Sequence, residues 1–456
     1  MSELALASAT RTAQLVRTGV LSAEQVVTEA IERIKAQDRQ LQAWETLDID
    51  GALQQARQAD ATARRGDILG PLHGVPVGVK DIISTAGIRT SMGSPIYRDN
   101  VPTLDAALVS RLKGAGAIVL GKTVTTQFAM GDPARTKNPW NSAHTPGGSS
   151  VGSAVAVAAG HCPVAIGTQT AGSVNRPAAY NGVTGFKPTY GLVSRRGVFP
   201  VSWTLDTVGW MTRTVRDAAV LMDVLAGYDR NDAASVPGTH VEGYARALTN
   251  TDPSYVPKLG IVSGDIERGT STEMQAHMFE LIEYLRQGGT WVELFDLPVS
   301  YVNIRDAELA IHSTEAAEVH RQAFAERPGD YSPSARSRIE IGAVIPATSY
   351  VQAQRLRRQF RTDMDEGLAS LDALIMPAAI GPAPRDLSTT GSPAFYSPWT
   401  TAGLPTITVP TALSVLNDMP LGVMLIGKGH DDIGLLRSAR WVEERVAYSP
   451  GLPPLI

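Results

Sequence analysis

The chain is 456 residues long, 43% hydrophobic and 19% charged, with a formal net charge of −4. That balance describes a globular protein able to bury a large core, and it lacks the basic field that would draw nucleic acid or an anionic membrane. A single cysteine, Cys162, leaves no internal disulfide framework and fits a reducing compartment.

The N-terminal stretch "MSELALASATRTAQLVRTGVLSAEQ" has no basic segment followed by an apolar one. No apolar run anywhere approaches the ~20 residues of a membrane span. The expected location is the cytoplasm. The first third then reads as helices. "LSAEQVVTEAIERIKAQD" opens with Ser22, and Gln25 three residues on completes a capping-box pattern before Val26, Ala30, Ile31 and Ile34 fall at helical spacing. "GALQQARQADATARRGD" is a second, more polar helix ended by Gly66.

From there strands and helices alternate. "GVPVGVK" reads as a strand, "DAALVSRLKGAG" as a helix, "AIVLGK" as a strand, "SSVGSAVAVAAGH" as a helix and "PVAIGT" as a strand. Cys162, in "AAGHCPVAI", sits in a helix-to-strand turn as a small buried filler. The pattern resumes with "KLGIVSG", a helix near 272–287, "TWVELFD", "DALIMPA", "PTITVP" and "PLGVMLIG", while 230–257 and 378–400 are loop-like. Short apolar strands alternating with helices predict an α/β protein with a largely parallel sheet covered on both faces. Length alone would suggest about two or three domains. No linker or internal repeat divides the chain, so one domain is expected over 1–456, with a helical segment to about residue 66 and an α/β core from about residue 67.

Three short stretches bear on chemistry. In "GTQTAGSVNRPAAY" a serine, Ser173, follows a glycine turn with no histidine near it. In "TPGGSSVGSAVAVAAG" Gly147, Gly148 and Ser149 precede a run of small residues that forms a packed helix, so backbone N–H groups face outward there. In "GVPVGVKD" Lys80 ends an apolar strand. It is either a surface lysine paired with the adjacent Asp81, or a desolvated lysine able to act as a base. A neutral lysine can activate a hydroxyl directly or through a second serine, and all three residues fall at strand-to-helix junctions, where α/β sheets gather ligands.

The segments "PLHGVPVGVKDII", "PGGSSVGSAVAVAAG", "GTQTAGSVNRPAAYNGVTGFKPTYGLVSRRGVFP" and "WTLDTVGWMTRTVRDAA", with the C-terminal "TTAGLPTITVPT" and "PLGVMLIGKGHDD", together resemble the amidase signature family over nearly the whole chain. The resemblance implies a single large α/β domain with a mixed sheet wrapped by helices, and neither cofactor nor metal. It implies Ser173 as nucleophile, Lys80 as general base and Ser149 as a bridging serine after a cis peptide at Gly148. The N–H groups of Thr170, Ala171, Gly172 and Ser173 would form the oxyanion hole. The activity implied is hydrolysis of linear amides or related carbon–nitrogen bonds, carbamates included, with a small-molecule substrate, a homodimer as the expected assembly, and no nucleic acid or membrane.

The chain departs from the family's usual G-T-D-T-G-G-S-I-R pattern: Gln169 replaces the acid, Ala171 a glycine and Asn175 the arginine. A neutral Gln169–Asn175 contact can stand in for the lost pair without leaving a buried charge alone. Arg176, one position later, is similar to the malonamidase-like branch, where such an arginine holds a substrate carboxylate; capping its own segment is the other role open to it. Gln169 and Asn175 join it as candidate substrate contacts. Val151, where a glycine is usual, narrows the space beside Ser149. Trp203, Phe395, Tyr396 and Trp399 fall in segments that could rim an acyl pocket, although packing is the commoner use of such aromatics. Two other readings stand beside the hydrolase: the ammonia-passing catalytic chain of a glutamyl-tRNA amidotransferase (its A-type subunit), and a binding module that has lost catalysis.

Overall fold

The computed structural model describes residues 3–67, 69–237, 243–262 and 269–454. Its centre is one eleven-stranded sheet in the order β1-β3-β2-β4-β6-β5-β10-β11-β9-β7-β8. The strands are β1 (Trp44–Leu47), β2 (Pro76–Lys80), β3 (Ile118–Thr123), β4 (Val164–Gln169), β5 (Thr184–Lys187), β6 (Thr207–Thr212), β7 (Lys258–Val262), β8 (Trp291–Phe295), β9 (Ala373–Pro377), β10 (Thr406–Leu413) and β11 (Pro420–Ile426). Helices cover the sheet, and the buried apolar side chains pack between helices and sheet. No described helix is long and apolar enough to cross a membrane.

The sheet is mixed rather than largely parallel. Strands β3, β2 and β4 run parallel, as do β9, β7 and β8. Between these blocks every junction from β4 through β6, β5, β10 and β11 to β9 is antiparallel. Of these antiparallel junctions only β10–β11 is a hairpin closed by a short connection; the others pair strands separated by longer stretches of chain. The strands of this antiparallel centre are still almost wholly buried, because helices cover both faces; burial therefore cannot distinguish the two pairings.

Local signals hold where the chemistry is local. The helix Ala23–Leu41 starts at Ser22, whose side chain accepts from Gln25 N–H while the Gln25 side chain accepts from Ser22 N–H. The polar second helix spans Ile49–Arg64 and buries only Ala52 and Ala56. The N-terminal segment is not wholly helical: β1 lies within it and pairs antiparallel with β3. Within 230–257 a helix, Tyr244–Thr249, interrupts the expected loop, and 238–242 lie outside the described residues. The strand read from "KLGIVSG" ends at Val262, its last residues likewise outside them.

Candidate active site

One strand-to-helix turn, the start of a second helix reached by a long loop after β3, and one neighbouring strand end build the site. Strand β2 ends at Lys80. Strand β4 ends at Gln169, and the turn 170–174 leads into the helix Asn175–Asn181. Ser149 immediately precedes the helix Val151–Ala158 across Ser150. Because β2 and β4 are adjacent and parallel, with Val79 opposite Ile166, the C-terminal ends of both strands open on the same edge of the sheet.

Lys80 is fully buried, and its Nζ donates to Ser149 Oγ at 2.7 Å and to Thr168 Oγ1 at 2.9 Å. Burial pushes its pKa well below the ordinary lysine value, and the negative charge of Asp206 works in the opposite direction. The ion pair with Asp81 does not form. Asp81 turns away to accept from Ser91 N–H at 3.0 Å and Ser91 Oγ at 2.6 Å, and its charged neighbour is Lys122. The alternation of side chains along an extended backbone separates residues 80 and 81 in this way.

The peptide between Gly148 and Ser149 is cis. Ser150 N–H donates to the Ser173 carbonyl at 3.3 Å, which brings the two serine-bearing turns together. Ser150 and Ser153 face the strand instead: Ser150 Oγ donates to Thr168 O at 3.2 Å, and Ser153 Oγ to Ile166 O at 2.9 Å. The Ser173 hydroxyl makes no hydrogen bond within the described residues, nor do the N–H groups of Thr170, Ala171, Gly172 and Ser173 donate to any of them. A run of free donors beside a free hydroxyl can hold an oxyanion. Gly172 is required by packing: a Cβ there would lie 2.7 Å from the Tyr396 ring. No histidine side chain is hydrogen-bonded to Lys80, Ser149 or Ser173 among the described residues, so the only base beside these serines is the lysine.

Gln169 and Asn175, expected as substrate contacts, lie beneath the turn with no exposure. Gln169 Oε1 accepts from Val174 N–H at 2.8 Å and Asn175 N–H at 3.0 Å, and its Nε2 donates to Asn175 Oδ1 at 2.9 Å and Thr400 Oγ1 at 3.0 Å. Asn175 completes its set with Thr406 Oγ1 at 2.8 Å and Gly185 O at 3.0 Å. The neutral pair thus replaces the usual charge pair, and with every polar atom engaged neither side chain has one to offer a substrate. That expectation is corrected: both are braces.

Arg176 is also buried. Its Nη2 donates to Gly148 O at 2.7 Å and Thr390 Oγ1 at 3.2 Å, and its Nη1 to Gly391 O at 2.8 Å. The guanidinium ties the nucleophile's segment to the Gly148–Ser149 turn and to the loop around residue 390. A substrate carboxylate would have to displace these carbonyls, so the expected carboxylate contact gives way to a clamp. Among the aromatics, Phe395, Tyr396 and Trp399 are buried in the core, and only Trp203 is exposed. Cys162 is buried, and burial pushes its thiol up to about 12, as suits a packing residue. Thr168 and Asp206 were not singled out from sequence. Thr168 lies inside the quoted "GTQT", and its position two residues before Thr170 on β4 places it beside Lys80 on the neighbouring strand.

The chain belongs to the amidase family: a family model described as Amidase matches residues 25–436. It is 33% identical over 482 residues to the A-type subunit of a glutamyl-tRNA(Gln) amidotransferase from Desulforapulum autotrophicum, covering 97% of each chain. A protein of the same description from a Roseiflexus species is 35% identical, with 92% of each chain covered. Among solved structures, native peptide amidase from Stenotrophomonas maltophilia superposes with a TM-score of 0.88 at 31% identity, covering 98% of both chains. A chain from a structure reported as a vestigial protein complex, bearing on the origins of an s-triazine catabolic enzyme, gives a TM-score of 0.90 at 29% identity, covering 97% of this chain and 99% of that one.

Proposed function

We propose that this amidase-family chain cleaves the carbon–nitrogen bond of an amide, or of a related carbamate, through an acyl-enzyme on Ser173. The observation that supports it most is the buried contact from Lys80 Nζ to Ser149 Oγ beside a free Ser173 hydroxyl. Neutral Lys80 takes the Ser149 proton as Ser149 takes that of Ser173. The Ser173 oxygen then bonds to the carbonyl carbon, and the oxyanion accepts hydrogen bonds from the free N–H groups of residues 170–173. The carbon–nitrogen bond breaks as the relay returns the proton to the leaving nitrogen, leaving an ester on Ser173.

Two fates of that ester share these steps. In one, the nitrogen leaves as ammonia for transfer to a partner; the relatives named as a subunit of a glutamyl-tRNA(Gln) amidotransferase, 33% and 35% identical over more than nine-tenths of both chains, support this fate and a protein partner most directly. In the other, the chain acts alone and water takes the acyl group, a fate supported by the likeness to peptide amidase and by the altered loop braced by Gln169 and Asn175. Ammonia or amine release by the purified chain from glutamine, dicarboxylic monoamides, anilides and carbamates separates them. Turnover of a non-glutamine amide without a partner supports hydrolysis. Glutaminase activity that depends on an added partner protein supports transfer. A chain that releases nothing and takes no fluorophosphonate label on Ser173 is a binding module.

A further inference from the structure

The register Gln169 opposite Thr207 in the β4–β6 pair sets Thr170, the first residue of the free N–H run, against Asp206. Asp206 is buried, and Thr170 Oγ1 donates to its Oδ1 at 2.7 Å. Its Oδ2 accepts from Val201 N–H at 2.8 Å and Ser202 N–H at 3.0 Å. These three donors favour the ionised carboxylate, as does the charge of Arg195, while burial works against them and pushes the Asp206 pKa up. The loop 201–206 is itself held from outside. Glu315, on the helix Ile304–Glu326, accepts from Ser202 Oγ, from Thr204 N–H at 2.9 Å and from Tyr350 OH at 2.7 Å.

We infer that Asp206 is a positioning residue of this site: it fixes the oxyanion turn through Thr170 and is the carboxylate whose charge reaches Lys80. The inference rests on the acyl-enzyme reading above and adds a residue to it. The contact to Thr170 holds the N–H groups of 170–173 at a set height above the strand end, and a hole formed in advance costs nothing to arrange when the oxyanion forms. The charge acts on the base. Asp206 is the group that favours the ammonium form of Lys80 against its burial. Lys80, Arg195, His312 and Tyr190 are titratable and charged groups whose fields meet Asp206, and Arg195 also donates to the Asp206 carbonyl at 3.3 Å. Asp206 thereby opposes the fall of the lysine's pKa on burial and helps it keep some drive to accept a proton.

The two functions separate by substitution. Asp206→Asn keeps an oxygen for Thr170 and removes the charge; Thr170→Val removes the contact and keeps the charge. The readout is the rate of Ser173 labelling by a fluorophosphonate, in which the serine oxygen bonds to phosphorus as fluoride leaves, measured from pH 5 to 10 on the full chain. For Asp206→Asn the acid limb should move down by about one pH unit, the direction expected when a neighbouring negative charge is lost. For Thr170→Val the limb should stay in place while the plateau rate falls about tenfold or more, and Thr170→Ser should recover most of it. A limb that does not move in folded Asp206→Asn overturns the electrostatic half. Equal rates for Thr170→Val and Thr170→Ser overturn the positioning half, and that pair decides it even if Asp206→Asn does not fold. A wild-type chain that takes no label on Ser173 overturns the acyl-enzyme reading and this inference with it, whereas a labelled wild type with unmoved variants sinks only the assignment to Asp206.

Discussion

Two neighbouring residues, Lys80 and Asp81, show how finely the fold divides charge. Extended backbone sends Asp81 to Ser91 and the field of Lys122, and sends Lys80 to Ser149 and Thr168 with no carboxylate in contact. A lysine placed so gives up its proton easily. Arg176 makes the opposite point. It keeps its proton at any accessible pH and spends its donors on the carbonyls of Gly148 and Gly391. Arg176→Ala removes those hydrogen bonds and leaves buried acceptors, so a stability loss of about 2–4 kcal/mol is expected. Activity should fall alike on a dicarboxylic monoamide and on a neutral aryl amide. Thermal melts with the two-substrate comparison check it; a selective loss on the acid substrate with an unchanged melting temperature would restore a carboxylate-binding role. Lys80, Ser149 and Ser173 could be singled out in sequence because an apolar strand end, glycines and small residues mark their turns. The braces Gln169 and Asn175 were legible as a pair, yet their role was misread, since sequence shows which residues adjoin a turn but not which side of it they face.

At the scale of strands, lysines recur inside the sheet. Lys122 in β3 and Lys187 at the end of β5 are buried like Lys80, and burial lowers each to about 7. Both use their protons on carbonyls: Lys122 on Ile83 O, Lys187 on Leu404 O and on Pro188 O at 3.0 Å. An unfolded lysine titrates near ~10.4, so between these values the unfolded chain holds more protons than the folded one, and stability rises with pH. Asp432 and Glu443, raised by burial to about 6 and about 7, act in the opposite direction at lower pH, and their effect is largely complete by pH ~7.5. From pH ~7.5 to ~9 each lysine should therefore add about 2 kcal/mol. Thermal melts across that window should show a rising midpoint; a flat or falling one would mean that these lysines stay charged when buried. The helices between β8 and β9 illustrate what sequence reading does not reach. Ile304–Glu326 buries Glu308, His312, Ser313, Glu315 and His320, so no simple apolar stripe marks its inward face. Eight of the eleven strands and the capped helix Ala23–Leu41 were legible because their signals are local, whereas the short strands β1, β5 and β6 went unread and strand direction depends on partners far along the chain.

Across the whole molecule, the single sheet explains why residues about 70 and 90 positions apart meet. Parallel β2 and β4 deliver Lys80 and the Ser173 turn to one edge, and the helix after Ser149 packs beside them. Antiparallel β6 brings Asp206 up beneath the same turn. The α/β class and the absence of a domain boundary could be read from the alternation of elements, and the sheet's mixed order came from the family resemblance rather than from the strand pattern. Membership of the amidase family spans these elements, while the fate of the acyl group turns on partners and substrates outside them. The claim on which the account turns is that Ser173 carries the covalent intermediate. Mass spectrometry of the full chain, acid-quenched during turnover of an activated aryl amide and digested, tests it most directly. The account predicts the acyl mass on the peptide containing Ser173, lost in Ser173→Ala and retained at reduced level in Ser149→Ala. An acyl adduct on the Ser149 peptide, or turnover that survives in Ser173→Ala, would contradict it.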